Sequence, residues 1–176
     1  MTPIVALVGR PNHGKTTLLE KLIPELKQRG CRVGTIKHHV HEFEMDKPGK
    51  DTWRHKKAGA EIVALASPTG LGIISDVDED PDVRKLVARC FNQVDLVIAE
   101  GYKRTDLAKI EVYRRTTGDP PLENRDSSWI AMVTDSLSES DLPCFALDDI
   151  SAIADFLIGL IPARGPALSS LQCSAL

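Results

Sequence analysis

Gly9-Arg10-Pro11-Asn12-His13-Gly14-Lys15-Thr16 decides the fold because of what stands on either side of it. Before it, Ile4-Val5-Ala6-Leu7-Val8 is a short unbroken apolar run, the pattern of a strand buried on both faces of a parallel sheet. After it, Leu18, Leu19, Leu22, Ile23 and Leu26 recur on one helical face over residues 16–29, and Gly30 supplies the stop signal. Strand, glycine-rich loop and helix form the context in which such a loop cradles phosphate. Gly9 and Gly14 let successive amides turn inward toward phosphate oxygens. Lys15 brings a charge to the terminal phosphates, the Thr16 hydroxyl is a ligand for Mg²⁺, and the helix points its positive end at the same anion. Pro24 lacks the amide that would bond the Glu20 carbonyl, which predicts a kink.

Further along, residues 32–38 read as a second strand, and the polar stretch 39–50 is long enough to be a functional loop. A short helix is expected over 51–58. Strands at 62–66 and 71–75, joined by Ser67-Pro68-Thr69-Gly70, predict an antiparallel hairpin. Asp80, with Pro81 next, is the expected cap of a helix whose apolar face is Val83, Leu86, Val87, Cys90 and Phe91. Leu96-Val97-Ile98-Ala99 is a buried strand ending in Glu100-Gly101. Residues 110–113 form a weaker strand, and 116–128 read as a mobile polar loop. Strands at 129–133 and 143–147 and a helix from Ile150 to Ile161 close the pattern. Strands alternating with helices predict an α/β protein: a three-layer P-loop NTPase fold, with a mostly parallel sheet and a β-hairpin insertion. Residues 1–162 form the nucleotide-binding domain and 163–176 a flexible tail. In such sheets ligands sit at the carboxyl ends of the strands, so the loops after Val8, His38, Ala99 and Val133 should line one site.

Composition narrows the partners. A formal charge of -3 over 176 residues gives no bulk pull toward nucleic acid or anionic membrane. No apolar run is long enough to span a bilayer, and a strand begins almost at once, leaving no room for a signal peptide. Cys31, Cys90, Cys144 and Cys173 are scattered; the first three sit among apolar neighbours and read as core or near-core. A cytoplasmic, reducing setting is the expectation.

The metal needs a carboxylate, and Glu100 stands at the carboxyl end of a buried strand. The competing reading makes it a structural ion-pair partner of Lys103 or Lys37. Asp95 begins the same strand, at the wrong end of the sheet. Asp46-Lys47-Pro48-Gly49 matches D-x-x-G, but no apolar strand precedes it, so the match is coincidental; Asp46 and Asp51 remain loop candidates for the metal. His38, His39 and His41, with His55 beyond, raise a transition-metal site, although their spacing fits no tight zinc pattern. Lys47, Lys50, Arg54, Lys56 and Lys57 make this region locally basic, which suits either a phosphorylated ligand or a solvated face. Thr134-Asp135 follows a late strand where a base-reading carboxylate belongs; it pairs with the two N–H groups of guanine, or else forms a turn.

Taken together, residues 9–26 (GRPNHGKTTLLEKLIPEL), 36–60 (IKHHVHEFEMDKPGKDTWRHKKAGA), 95–114 (DLVIAEGYKRTDLAKIEVYR) and the strand ending in VTD resemble the molybdopterin-guanine dinucleotide biosynthesis adaptors, the MobB-type proteins. The resemblance implies a GTP-binding homodimer with at most slow hydrolysis, assisting guanylylation or delivery of the molybdenum cofactor. It implies the pathway's guanylyltransferase, molybdenum-inserting or recipient enzymes, and molybdopterin itself as partners. Its nucleotide site is Gly9, Arg10, Pro11, Asn12, His13, Gly14, Lys15, Thr16 and Thr17, with Thr16 and Glu100 for Mg²⁺ and Asp135 for the base. Asp46, Lys50, Asp51 and Arg54 lie in the signature loop without a derived role. Two other classes compete: a small-molecule kinase, with Arg114, Arg115 and Arg125 in a lid, and a metal-delivery GTPase using the 38–41 histidines.

Overall fold

The computed structural model describes residues 2–39, 41, 43–136 and 141–162. The tail expected at 163–176, with Cys173, lies outside them, as do Val40 and Glu42 of the histidine loop. Among the described residues the order is β1 (Ile4–Val8), α1 (Lys15–Gln28), β2 (Val33–Lys37), α2 (Asp51–Lys57), β3 (Ile62–Ser67), β4 (Gly70–Ser75), α3 (Val83–Cys90), β5 (Leu96–Glu100), β6 (Ala108–Tyr113), β7 (Trp129–Thr134), β8 (Cys144–Ala146) and α4 (Ile150–Gly159). A single 3₁₀ turn spans Arg115–Thr117.

Six strands form one sheet in the order β2-β5-β1-β6-β7-β8, and every neighbouring pair is parallel. Alternation along the strands supplies two faces. Val5, Leu7, Ile98 and Val112 pack under α1 and α4, against Leu22, Leu26, Ile153 and Leu157. Ala6, Val8, Val97 and Ala99 face α3, through Val83 and Val87, and the irregular segments that bring in Tyr102 and Leu107. Helices on both faces give the three layers. The hairpin β3–β4 stands apart as its own two-stranded sheet.

Several local expectations are corrected. The cap of α3 is Asp82, whose carboxylate accepts from the amides of Arg84 (2.8 Å) and Lys85 (3.1 Å). Asp80 instead meets the His38 ring, 2.9 Å from Nε2. Cys90, at the end of α3, is exposed rather than near the core.

β6 is the larger surprise. It starts at Ala108 and lies between β1 and β7, yet charges interrupt its apolar run: Lys109 and Glu111 are 1% and 2% exposed. Buried charges are tolerated only when hydrogen-bonded or paired. Lys109 donates to the Thr105 and Leu107 carbonyls and to the Ser128 hydroxyl. Glu111 accepts from the Leu122 amide (2.7 Å) and from Arg125 Nη2 (2.6 Å). Segment 116–128, expected to be mobile, is therefore strapped across this half of the sheet by side chains of β6.

Candidate functional site

β1 ends at Val8, and the chain turns over Gly9. A methyl at Gly9 would run into the Val112 carbonyl of β6, so the close approach of the two strands requires glycine here. Asn12 (φ 63°) and Gly14 (φ 89°) are both left-handed, the kind of backbone alternation from which anion-binding concavities of amides are built. Gly14 is also the N-cap of α1, whose first turn carries no acidic residue to neutralise its positive end.

Lys15 lies across this loop, donating to the carbonyls of Arg10 (2.8 Å) and Gly9 (3.2 Å). Burial lowers its pKa from the ordinary value, Glu100 opposes the shift, and Lys103 and Lys37 add to it. An ammonium that is half withdrawn from water and crowded by other cations favours an arriving anion. Thr16 and Thr17 are exposed, as are Pro11 and Asn12. Arg10 reaches the strap instead, its Nε donating to the Pro120 carbonyl (2.9 Å). His13 departs from the reading of 9–17 as one ligand-facing stretch. Its side chain is 1% exposed and turned into the protein, away from the exposed threonines.

Glu100 ends β5, in register with Leu7 of β1 and Lys37 of β2. Its buried carboxylate is ion-paired with Lys37, so the structural partner is Lys37 and the acid still stands at the phosphate-loop end of the sheet. Asp95, at the other end of β5, binds the Arg32 amide (2.9 Å) and guanidinium.

Asp135 follows β7 and is exposed. One oxygen accepts the Arg115 amide (2.7 Å), the other the Thr116 hydroxyl (3.1 Å). The Arg115 hydrogen bond, first among the causes, lowers its pKa, with a further contribution from Thr116. The group is thus an ionised, acceptor-only carboxylate with one lone pair per oxygen left for a ligand.

Of the other loop candidates, His38 is brought to this rim, its amide donating to the Glu100 carbonyl (3.0 Å); no contact described brings the rest there. Asp46 lines a cleft beneath the hairpin with Met45, Thr52, Val63 and Ile74, and one of its oxygens has no hydrogen-bond partner among the described residues. Asp51 opens α2, Lys50 precedes it as N-cap, and Arg54 and His55 are exposed on it. His38 stacks on Tyr102 (4.4 Å), and His39 meets His41 edge-on. Among the described residues no three His, Cys, Asp or Glu side chains are grouped to hold a metal ion. The arginine lid divides: Arg125 is committed to Glu111 and to the face of Trp129, while Arg114 lies against the phosphate loop.

From sequence Arg114 and Arg115 are expected only as part of a kinase lid; their hold on the phosphate loop and on Asp135 is not. The signal was available, because β6 is parallel to β1 and its carboxyl end belongs to the same rim.

With this geometry in place, the comparisons are specific. Residues 4–135 match the family described as molybdopterin guanine dinucleotide synthesis protein B, MobB. The chain is 36% identical over 162 residues to the molybdopterin-guanine dinucleotide biosynthesis adapter protein of Escherichia coli, covering 90% of this chain and 93% of that one. To the protein of the same name from Haemophilus influenzae it is 38% identical over 157 residues, covering 88% and 87%. The crystal structure of Bacillus subtilis MobB superposes with a TM-score of 0.73 at 26% identity, over 92% of this chain and 99% of that one.

Proposed function

The chain belongs to the MobB family, as an adapter protein of molybdopterin-guanine dinucleotide biosynthesis, and we propose that its phosphate loop holds GTP with Mg²⁺. The carrying observation is the pairing of two features on one rim: a lysine-spanned glycine loop at the end of β1 and a backbone-held carboxylate at the end of β7. The first suits the triphosphate, the second the two donors on the edge of guanine. Neither the kinase nor the metal-delivery reading is supported by the relatives.

The donor set fits Mg²⁺, which takes hard oxygen ligands, one or two carboxylates and phosphate oxygens. The Thr16 hydroxyl and Glu100 would hold it, and the ion would neutralise charge on the bound phosphates. Lys37 has to yield its place, which its exposed side chain allows. Glu100→Gln should flatten the Mg²⁺ dependence of GTP binding while leaving binding in chelator nearly unchanged. A Mg²⁺ titration identical to wild type would assign the metal to another acid.

The base assignment has its own test. Asp135→Asn keeps one oxygen for the Arg115 amide, and the Thr116 hydroxyl can accept from the new amide nitrogen. That nitrogen opposes the guanine amine but suits the second carbonyl of xanthine. Relative preference should shift from GTP toward XTP by about tenfold, the effect of one mispaired polar group. Competition of GTP, XTP and ATP against a labelled nucleotide reads this; an unaltered ranking would remove Asp135 from the site.

Assembly is part of the same reading. Ile62, Leu65, Leu71 and Ile73 on the free hairpin are each more than half exposed, and such apolar surface supports a homodimer. Sedimentation as a monomer at micromolar concentration would exclude it. The cytoplasm, the guanylyltransferase, molybdenum-inserting or recipient enzymes and molybdopterin complete the proposal, supported by the relatives' role as adapters.

A further inference from the structure

The turn after β6 grips both halves of the site. The Arg114 amide donates to His13 Nδ1 (3.1 Å), which makes Nδ1 an acceptor and puts the proton of the neutral ring on Nε2. Nε2 meets the Thr117 hydroxyl (3.0 Å), and that hydroxyl donates onward to the Arg114 carbonyl (2.8 Å). Nε2 also lies 3.5 Å from the Asp119 carboxylate, and the ring packs 5.7 Å from that of Tyr113. The next amide along, Arg115, donates to Asp135. Two successive amides therefore fix the middle of the phosphate loop and the rim carboxylate relative to each other.

The side chain of Arg114 lies against the phosphate loop. Its Nε donates to the His13 carbonyl (3.3 Å). A methyl on Gly14 would come within 2.9 Å of Nε and 3.2 Å of Nη2, so the guanidinium lies beside the residue that caps α1. Its outer nitrogens carry no hydrogen bond described in the structure, and the side chain is only half-buried. A planar cation in that position offers a stacking face to a purine and donors to ribose oxygens.

We propose that Arg114 is a nucleotide-binding residue that contacts the nucleoside side of GTP, and that His13 is a positioning residue that holds it there. This rests on the GTP reading above. It goes further by giving the site a wall between its phosphate and base ends.

The test compares GTP, GDP and inorganic tripolyphosphate by calorimetry on the full chain. Arg114→Ala should weaken GTP and GDP alike, on the order of tenfold, as expected for a charged contact, and leave tripolyphosphate nearly unchanged. Arg114→Lys, which keeps the charge but loses the plane, should fall between and answers the question if the alanine variant folds poorly. His13→Ala should reproduce the pattern more weakly. His13→Asn should restore binding, because its side-chain carbonyl can accept the Arg114 amide. Parallel loss of GTP and tripolyphosphate would mean that Arg114 only shapes the loop, and unchanged GTP binding would mean that it does not touch the ligand; either overturns the inference. Failure of the wild type to bind any of the three would overturn the phosphate-loop reading first, and this inference with it.

Discussion

Lys15→Ala lowers triphosphate affinity by about tenfold to a hundredfold, because a hydrogen bond to a charged partner contributes roughly 1.5–3 kcal/mol. The lysine is already positioned in the free protein, spanning the carbonyls of Gly9 and Arg10. Its lowered pKa, caused first by burial, marks a cation that gains from a bound anion. An arriving terminal phosphate thus replaces two weak neutral acceptors with a charged one. Tripolyphosphate should lose as much as GTP, which sets this variant apart from one at Arg114. Of the two carbonyls left behind, that of Arg10, which has the shorter bond, belongs to a half-buried residue and can be hydrated, so the ligand-free melting temperature should move little. Calorimetry with GTP and tripolyphosphate, alongside a thermal melt, checks both halves. Undiminished binding would mean that the loop is not the cradle.

Glu111→Ala should produce the largest loss of stability outside the apolar core. The carboxylate is 2% exposed and accepts from the Leu122 amide and from two nitrogens of Arg125. Removing one partner of a buried pair commonly costs 3–5 kcal/mol because the other is left uncompensated. Arg125 is partly exposed and can regain water, so about 2–4 kcal/mol is expected here. The change also frees the strap whose Pro120 carbonyl holds Arg10, so GTP affinity should decline as a secondary effect. Urea denaturation of wild type, Glu111→Ala and Glu111→Gln measures the loss, with the glutamine variant intermediate. A cost under about 1 kcal/mol, typical of an exposed ion pair, would show that the strap is not held by this residue.

These cases mark where the sequence is readable. The stretch from Ile4 to Leu26 states its structure because three signals agree: an unbroken apolar run, a glycine-bracketed lysine, and an i, i+3, i+4 stripe. β6 sends conflicting signals, since Lys109 and Glu111 look solvent-facing until residues 105–128 are known to fold over them. Such burial is satisfied by partners distant in the chain, and local pattern does not encode them. His13 is the same problem inside the motif. The spacing locates the loop, but only the Arg114 amide and Thr117 hydroxyl explain why position 13 turns inward. Glu100 was legible as a choice between metal acid and ion-pair partner, and the register beside Lys37 shows the pair in the free protein. The cap of α3 was placed two residues early because Asp80-Pro81 fits the rule as well as Asp82 does.

The strand order also sets a timetable. β1 and its phosphate loop are synthesised well before their sheet neighbours, for Leu7 stands opposite Glu100 on one side and Ile110 on the other. At typical translation rates those neighbours emerge on the order of ten seconds later. Until then β1 and α1 have no sheet to join, and the Val112 carbonyl that crowds Gly9 does not yet exist. Such long-range parallel pairing forms slowly, since loop closure precedes the contacts that reward it. The nascent chain therefore carries its nucleotide motif as an unfinished hook, and affinity for triphosphate switches on only when synthesis has passed β6.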